Sequence, residues 1–258
     1  MLQQAIEAVN AQGARAFIPY IMAGDGGLEQ LVPTVLRLQA LGVTAIEVGI
    51  PFTDPVADGP TIEAAGMRAL ANGATLRTIL KTLLSAADKI TVPLVAMTYL
   101  NPILAYGAED FARDAYAAGI RGVIVPDMPF EESSIIHPAL KAQKIDLVQL
   151  ISLTSATARI EKLARESEGF IYAVTINGIT GERSQFATHL AEHFAQLKQT
   201  STIPVLAGFG ISTPEHVKHF AAFSDGVIVG SKIVDSLYKN DWATIEALIQ
   251  ATIQLEVK

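Results

Sequence analysis

The chain has 258 residues, half of them hydrophobic, a net charge of −7 and no cysteine. Such apolar content excludes a disordered chain, the acidic balance without a clustered basic face argues against nucleic-acid binding, and the lack of cysteine excludes a disulfide framework or thiolate zinc site. The start, Met1-Leu2-Gln3-Gln4-Ala5-Ile6-Glu7, lacks the basic and apolar segments of a signal peptide, and no apolar run approaches the roughly 20 residues of a membrane span, so the sequence reads as that of a soluble cytoplasmic protein.

One rhythm repeats along the chain: a short β-branched run, then an amphipathic stretch. Residues 2–11 predict a leading helix. Residues 16–22 predict the first strand, ended by Ala23-Gly24-Asp25-Gly26-Gly27. Leu31, Val35 and Leu38 at helical spacing place a helix over 28–41, and Gly42 stops it. The second strand falls at 44–49, followed by helices over 61–71 and 75–88, split at Asn72-Gly73. The third strand, 93–98, precedes a helix over 109–118 that Gly119 ends. The fourth, 122–125, ends at Pro126-Asp127 and leads to a helix over 131–144. The fifth strand, 146–151, and a helix over 157–166 lead to the sixth strand, 170–174. A Gly-rich loop, Asn177-Gly178-Ile179-Thr180-Gly181, precedes a helix near 186–199. The seventh strand, 204–207, is followed by Gly208-Phe209-Gly210. Thr213-Pro214-Glu215 opens the next helix, with Thr at the cap and Pro in the first turn. The eighth strand, 226–229, ends at Gly230-Ser231, and helices over 233–239 and 242–255 close the chain.

Eight strands alternating with helices imply parallel pairing with right-handed crossovers. The strands are continuous apolar runs, as expected when both faces are covered. The pattern predicts a single (β/α)8 TIM barrel over residues 1–258, with an extra N-terminal helix. A doubly wound open sheet would place its Gly-rich loop after the first strand. Gly24 to Gly27 lacks that spacing, and the informative glycines follow strands six to eight.

A barrel carries its active site at the C-terminal ends of its strands. There lie Glu47, Asp54, Asp58, Asp127, Thr180-Gly181, Phe209-Gly210 and Gly230-Ser231. Alternation along strand two sets Ile46 and Val48 against the helices and points Glu47 into the mouth. A lone acid in an apolar strand is unfavourable unless it is used or paired, and apolar neighbours hold its pKa high enough to move protons. The loop acids, nearer solvent, stay charged; each is also a common turn former, and Asp127 can serve as a simple cap. Gly208-Phe209-Gly210-Ile211-Ser212 and Gly230-Ser231, after strands seven and eight, point to a phosphate, because backbone amides approach an anion closely where side chains are absent. His189-Leu190-Ala191-Glu192-His193 matches the inverted zincin pattern. It falls on an outer helix whose core positions are Leu190, Phe194 and Leu197, away from the mouth, so no metal site is expected there.

The run from Glu47-Val48-Gly49-Ile50-Pro51-Phe52-Thr53-Asp54 through Pro55-Val56-Ala57-Asp58-Gly59-Pro60-Thr61 closely resembles the signature of the tryptophan synthase alpha chain family. The likeness extends to Met97-Thr98-Tyr99-Leu100-Asn101-Pro102-Ile103, Pro126-Asp127-Met128-Pro129, Gly178-Ile179-Thr180-Gly181, Gly208-Phe209-Gly210-Ile211-Ser212 and Gly230-Ser231, in order along the chain. The resemblance implies a barrel that cleaves indole-3-glycerol phosphate to indole and glyceraldehyde 3-phosphate. It also implies an α2β2 heterotetramer with a pyridoxal-phosphate beta chain that receives the indole, this chain alone being a monomer without cofactor or metal. It implies that Glu47 is the general acid–base and Asp58 the second catalytic acid. By the same resemblance Thr180, Gly181, Phe209, Gly210, Gly230 and Ser231 bind the phosphate. Tyr20, Met97, Ile124 and Tyr172 surround the indole, and Asp54, Pro55 and Asn101 face the beta chain. The family often has Ser-Arg where this chain has Thr175-Ile176-Asn177.

The chemistry agrees with that assignment. Retro-aldol cleavage needs an electron sink, and neutral indole is a poor one. Protonation at ring carbon three makes an iminium that accepts the electrons. Glu47 then moves the protons, and Asp58 beside the ring N–H stabilises the cation. Two rival readings remain at this stage: another phosphate-binding barrel, such as a sugar-phosphate isomerase or epimerase, and a subunit whose value lies mainly in its complex. The first gives no reason for the long loop over 50–60.

Overall fold

In a computed structural model of the chain, residues 1–152, 155–174 and 183–253 are described, residues 183–189 by backbone alone. The apolar runs become nine parallel strands: β1 Ala16–Met22, β2 Ile46–Gly49, β3 Leu94–Met97, β4 Ile120–Ile124 and β5 Asp146–Leu147. The others are β6 Gln149–Ser152, β7 Ile171–Val174, β8 Val205–Gly208 and β9 Gly226–Val229. They form one sheet in the order β5-β4-β3-β2-β1-β9-β8-β7-β6. The two ends of that order are neighbours in sequence, because only Val148 separates β5 from β6. The predicted fifth strand is thus split, half pairing with β4 and half with β7. The Val148 N–H donates to Val123 O at 3.0 Å. The sheet curls into a nearly closed (β/α)8 barrel.

Period-two alternation divides the core in two. Side chains turned inward, including Ile18, Val95, Ile124, Leu206 and Ile228, pack in the barrel interior. Leu2 and Ile6 of the leading helix Leu2–Ala11 join them with no exposed surface. Burying an aliphatic side chain of this size stabilises by about 1.5–3 kcal/mol. Ile46 and Val48 face outward among Leu38, Ile79 and their neighbours. That places Glu47 on the inner face, as the alternation predicts.

Several element boundaries differ from those predicted. Residues 131–144 form a 3-10 turn, Phe130–Ile135, then a short helix, His137–Ala142. Pro138 falls in the first turn of that helix, where its missing N–H costs no intrahelical hydrogen bond. The helix expected over 75–88 runs from Leu76 to Leu84, opened by a capping box in which Thr75 and Thr78 exchange hydrogen bonds. An unpredicted helix, Leu100–Tyr106, follows β3, with Pro102 tolerated in its first turn. The helix expected over 242–255 is Trp242–Gln250, residues 254–258 lying outside the described ones. No helix among the described residues is long and apolar enough to cross a membrane.

Candidate active site

The barrel mouth opens into a cavity of about 610 Å³. Glu47 lines it from β2, level with Tyr20 on β1 and Val95 on β3. Its side chain is 1% exposed, and neither carboxyl oxygen has a hydrogen-bond partner among the described residues. Burial first, then the nearby Asp58 charge, pushes its pKa from 4.5 up to about 8. Glu47 is therefore held mostly in its neutral form at pH 7.

Two buried tyrosines flank it. Burial raises both phenols well above their ordinary value, with smaller contributions from Asp58 and Glu47 at Tyr20, and from Glu47 and Tyr20 at Tyr172. Each ring needs a glycine beside it. A Cβ on Gly49 would overlap the Tyr20 hydroxyl, and one on Gly208 would overlap the Tyr172 ring.

Asp58 stands just before Gly59, which caps the helix Pro60–Ala71. It is half-buried, and burial raises its pKa while the Tyr99 hydroxyl opposes the rise. That hydroxyl also accepts a hydrogen bond from the Ala57 N–H at 3.0 Å, tying down the loop that carries Asp58. The Tyr99 ring packs on Phe52, centroids 5.3 Å apart. Desolvation, the largest cause, pushes the Tyr99 phenol up to about 12.

The glycine loops after β8 and β9 reach the same cavity. Phe209 and Gly210 both have φ of 72°, and the Phe209 ring lies 5.6 Å from that of Tyr172. Gly230 caps the helix Ser231–Tyr238, and its carbonyl accepts the Ile233 N–H at 2.8 Å. The amides of the first turn, Ser231 and Lys232, belong to the part of a helix that lacks intrahelical acceptors. A helix N-terminus beside a glycine loop favours an anion.

The structure thus gathers Glu47, Asp58, Tyr20, Met97 and Tyr172 around one cavity with Phe209, Gly210, Gly230 and Ser231. Ile124 does not line it; it is fully buried in the barrel interior beside Val95 and Leu206. Thr180 and Gly181 lie outside the described residues. Sequence reasoning missed Lys232, Leu150 and Ile62 on the cavity wall. For Lys232 a signal was present: it directly follows Gly230-Ser231 at a helix start.

On the rim, Asp54 is exposed and accepts a hydrogen bond from the Thr53 hydroxyl at 2.6 Å. Pro55 is half-buried and Asn101 is exposed in the first turn of Leu100–Tyr106. Asp127 accepts the Leu100 N–H at 3.0 Å, the capping role that its sequence allows. On the outer helix Arg183–Thr200, Leu190, Phe194 and Leu197 are buried as expected. His193 is buried with them, its ring 6.5 Å from that of Phe194. The described residues contain no cluster of three His, Cys, Asp or Glu side chains able to hold a metal.

Parallel barrels carry chemistry at this end of the sheet, and a desolvated carboxyl in a cleft, its pKa displaced, is a candidate functional group. Fold and mouth together define a (β/α)8-barrel enzyme. The family model for the tryptophan synthase alpha chain matches residues 6–257. The alpha chain from Bacillus cereus is 48% identical over 251 residues, 97% of either chain. The chain therefore belongs to the tryptophan synthase alpha chain family, lyases of tryptophan biosynthesis that act on indole-3-glycerol phosphate. Among solved structures, the alpha subunit from Legionella pneumophila superposes with a TM-score of 0.89 at 30% identity, over 98% of each chain. A tryptophan synthase from M. tuberculosis in an aminoacrylate-bound form matches at 0.87 and 31%, over 97% of this chain and 98% of that one.

Proposed function

We propose that Glu47 and Asp58 together perform the cleavage of indole-3-glycerol phosphate. The observation that carries this reading is Glu47 itself, an acid in the cavity wall with a raised pKa and no hydrogen-bond partner among the described residues. It gives its proton to carbon three of the indole ring, and the ring nitrogen becomes an iminium. As a carboxylate it then takes the proton from the hydroxyl on the attached glycerol carbon. The carbon–carbon bond breaks, its electrons return to the ring, and the oxygen keeps a double bond to carbon as the aldehyde of glyceraldehyde 3-phosphate. Asp58 faces the ring N–H as a carboxylate and stabilises the cation while it exists. The phosphate sits on the amides of Gly210, Gly230 and Ser231 and against Phe209. Thr180 and Gly181 complete its cradle. Tyr20, Met97 and Tyr172 hold the ring, and Ile124 supports them from below.

The pH profile tests the acid's role. The proton donor is Glu47 in its neutral form, so kcat/KM, which reports the free enzyme, should hold to pH about 8 and fall above it, while the acidic limb reports Asp58, which must be charged. A profile flat through about pH 9 would overturn the assignment.

The chain further pairs with a pyridoxal-phosphate beta chain in an α2β2 heterotetramer, to which it passes indole. Asp54, Pro55 and Asn101 form the contact, an idea supported by the place of Asp54 and Asn101 on the exposed rim. By light scattering the chain alone should be a monomer and the mixture a heterotetramer. A stable homodimer contradicts this.

A further inference from the structure

Lys232 lies in the first turn of the helix Ser231–Tyr238 and lines the same cavity as Glu47. Among the described lining residues it is the sole cation. Side chains on a helix tilt toward its N-terminus, so Lys232 leans back over the end that carries Gly230 and Ser231.

The placement is unfavourable for the helix alone. The first turn is the positive end of the macrodipole, where a cation is repelled and an anion attracted. No acid shares that turn to offset it. Lys232 forms no ion pair among the described residues. Its charge reaches Asp241, which the Thr244 hydroxyl and N–H already hold, at 2.6 and 3.1 Å. The half-buried lysine thus adds its charge to dipoles of the same sign, at a point where the glycine loops after β8 and β9 approach the cavity. An anion there reverses the sign of every one of these interactions. That the cavity takes a ligand is indicated independently by Glu47, which is 1% exposed and has no hydrogen-bond partner among the described residues.

We propose that Lys232 binds the phosphate of the substrate directly, and that it makes the site select a dianionic ester over an uncharged analogue. This rests on the reading that the phosphate occupies the loops at Gly210 and Gly230-Ser231. The neutral amides fix the position of the phosphate; Lys232 supplies the one full charge that opposes it. Amide and ammonium bonds to a phosphate are both charge-assisted; the lysine adds to its own the attraction of a full opposite charge, which no amide supplies.

The test compares wild type, Lys232→Gln and Lys232→Arg as full chains, alone and with a beta chain added. Three readouts are taken: release of glyceraldehyde 3-phosphate, calorimetric titration with inorganic phosphate, and inhibition by indole-3-propanol, which has no phosphate. Lys232→Gln should raise KM, and weaken phosphate binding, about tenfold. The loss should fall mainly on KM, shrink at high salt as surface charges are screened, and be largely restored by arginine. Indole-3-propanol should inhibit all three proteins equally. A KM and a phosphate affinity that change less than about twofold would overturn the proposal. So would an equal loss for indole-3-propanol, which would make Lys232 structural. Phosphate binding absent from wild type itself would remove the phosphate placement and this proposal with it. Phosphate bound equally by wild type and Lys232→Gln would remove only the role of Lys232.

Discussion

Replacing Glu47 with Gln should make the protein more stable while destroying its activity. The raised pKa works against folding. In the unfolded chain Glu47 ionises at its ordinary 4.5, whereas in the folded one it holds its proton to about 8. Stability attached to this group is therefore fully present below pH 4.5 and is lost as pH rises toward 8, after which the loss is complete. Each unit between the two values costs about 1.4 kcal/mol. Gln matches the neutral acid in shape and has no proton to lose, so the variant escapes the penalty. Its advantage should be about 1 kcal/mol at pH 5, about 3 at pH 7 and about 5 at pH 9. Urea denaturation of both proteins at the three pH values measures this, as a growing separation of midpoints at a common slope. A separation that stays constant with pH would refute the reasoning, because it would mean that Glu47 titrates alike in the folded and unfolded chains. The opposition of stability and use is the usual mark of a strained or desolvated functional group.

Gly49→Ala places a methyl on the Tyr20 hydroxyl. Overpacking of this kind should destabilise by about 1–3 kcal/mol in urea and push Tyr20 into the space beside Glu47, so kcat/KM falls as well. Normal stability would show that the Tyr20 ring has room to move. Tyr99→Phe leaves the Ala57 N–H without its acceptor. The loss of about 1 kcal/mol in fixing the Asp58 loop should lower kcat about fivefold, with near-normal substrate affinity; an unchanged kcat would mean the loop is held by other contacts. Thr75→Ala removes the cap of the helix Leu76–Leu84, which does not line the cavity, and should lower stability by about 1 kcal/mol at unchanged kcat. A loss of activity there would place that helix in the chemistry.

The barrel was legible because most strands bury both faces and so read as apolar runs, while glycines mark where helices stop. Glu47 was legible for the converse reason: one acid interrupts such a run, at a position that alternation turns inward. The split of the fifth strand at Val148 was not, because an apolar residue at a seam between two neighbours looks like any other strand residue. The helix Leu100–Tyr106 was hidden by Asn101-Pro102, which reads as a loop unless the first-turn tolerance for proline is considered. Ile124 was placed at the cavity by likeness, yet strand β4 buries it in the interior with Val95 and Leu206. Lys232 escaped notice because the sequence places the helix start at 233 and leaves the lysine in a turn; in the structure the helix begins at Ser231 and Lys232 lines the cavity. Whether Asp54 and Asp58 differ in role was not readable from composition, since both are turn formers. Their surroundings separate them: Asp54 is exposed, and Asp58 is half-buried beside Tyr99.

The central claim is that two carboxyl groups at the mouth carry the cleavage. It is tested most directly by indole release from indole-3-glycerol phosphate, measured for wild type, Glu47→Gln and Asp58→Asn, each shown folded by its urea transition. Release by wild type, with a loss of at least about a hundredfold in each variant, is the expected result. If either variant releases indole at the wild-type rate, or wild type releases none even with a beta chain added, the account of this site is contradicted.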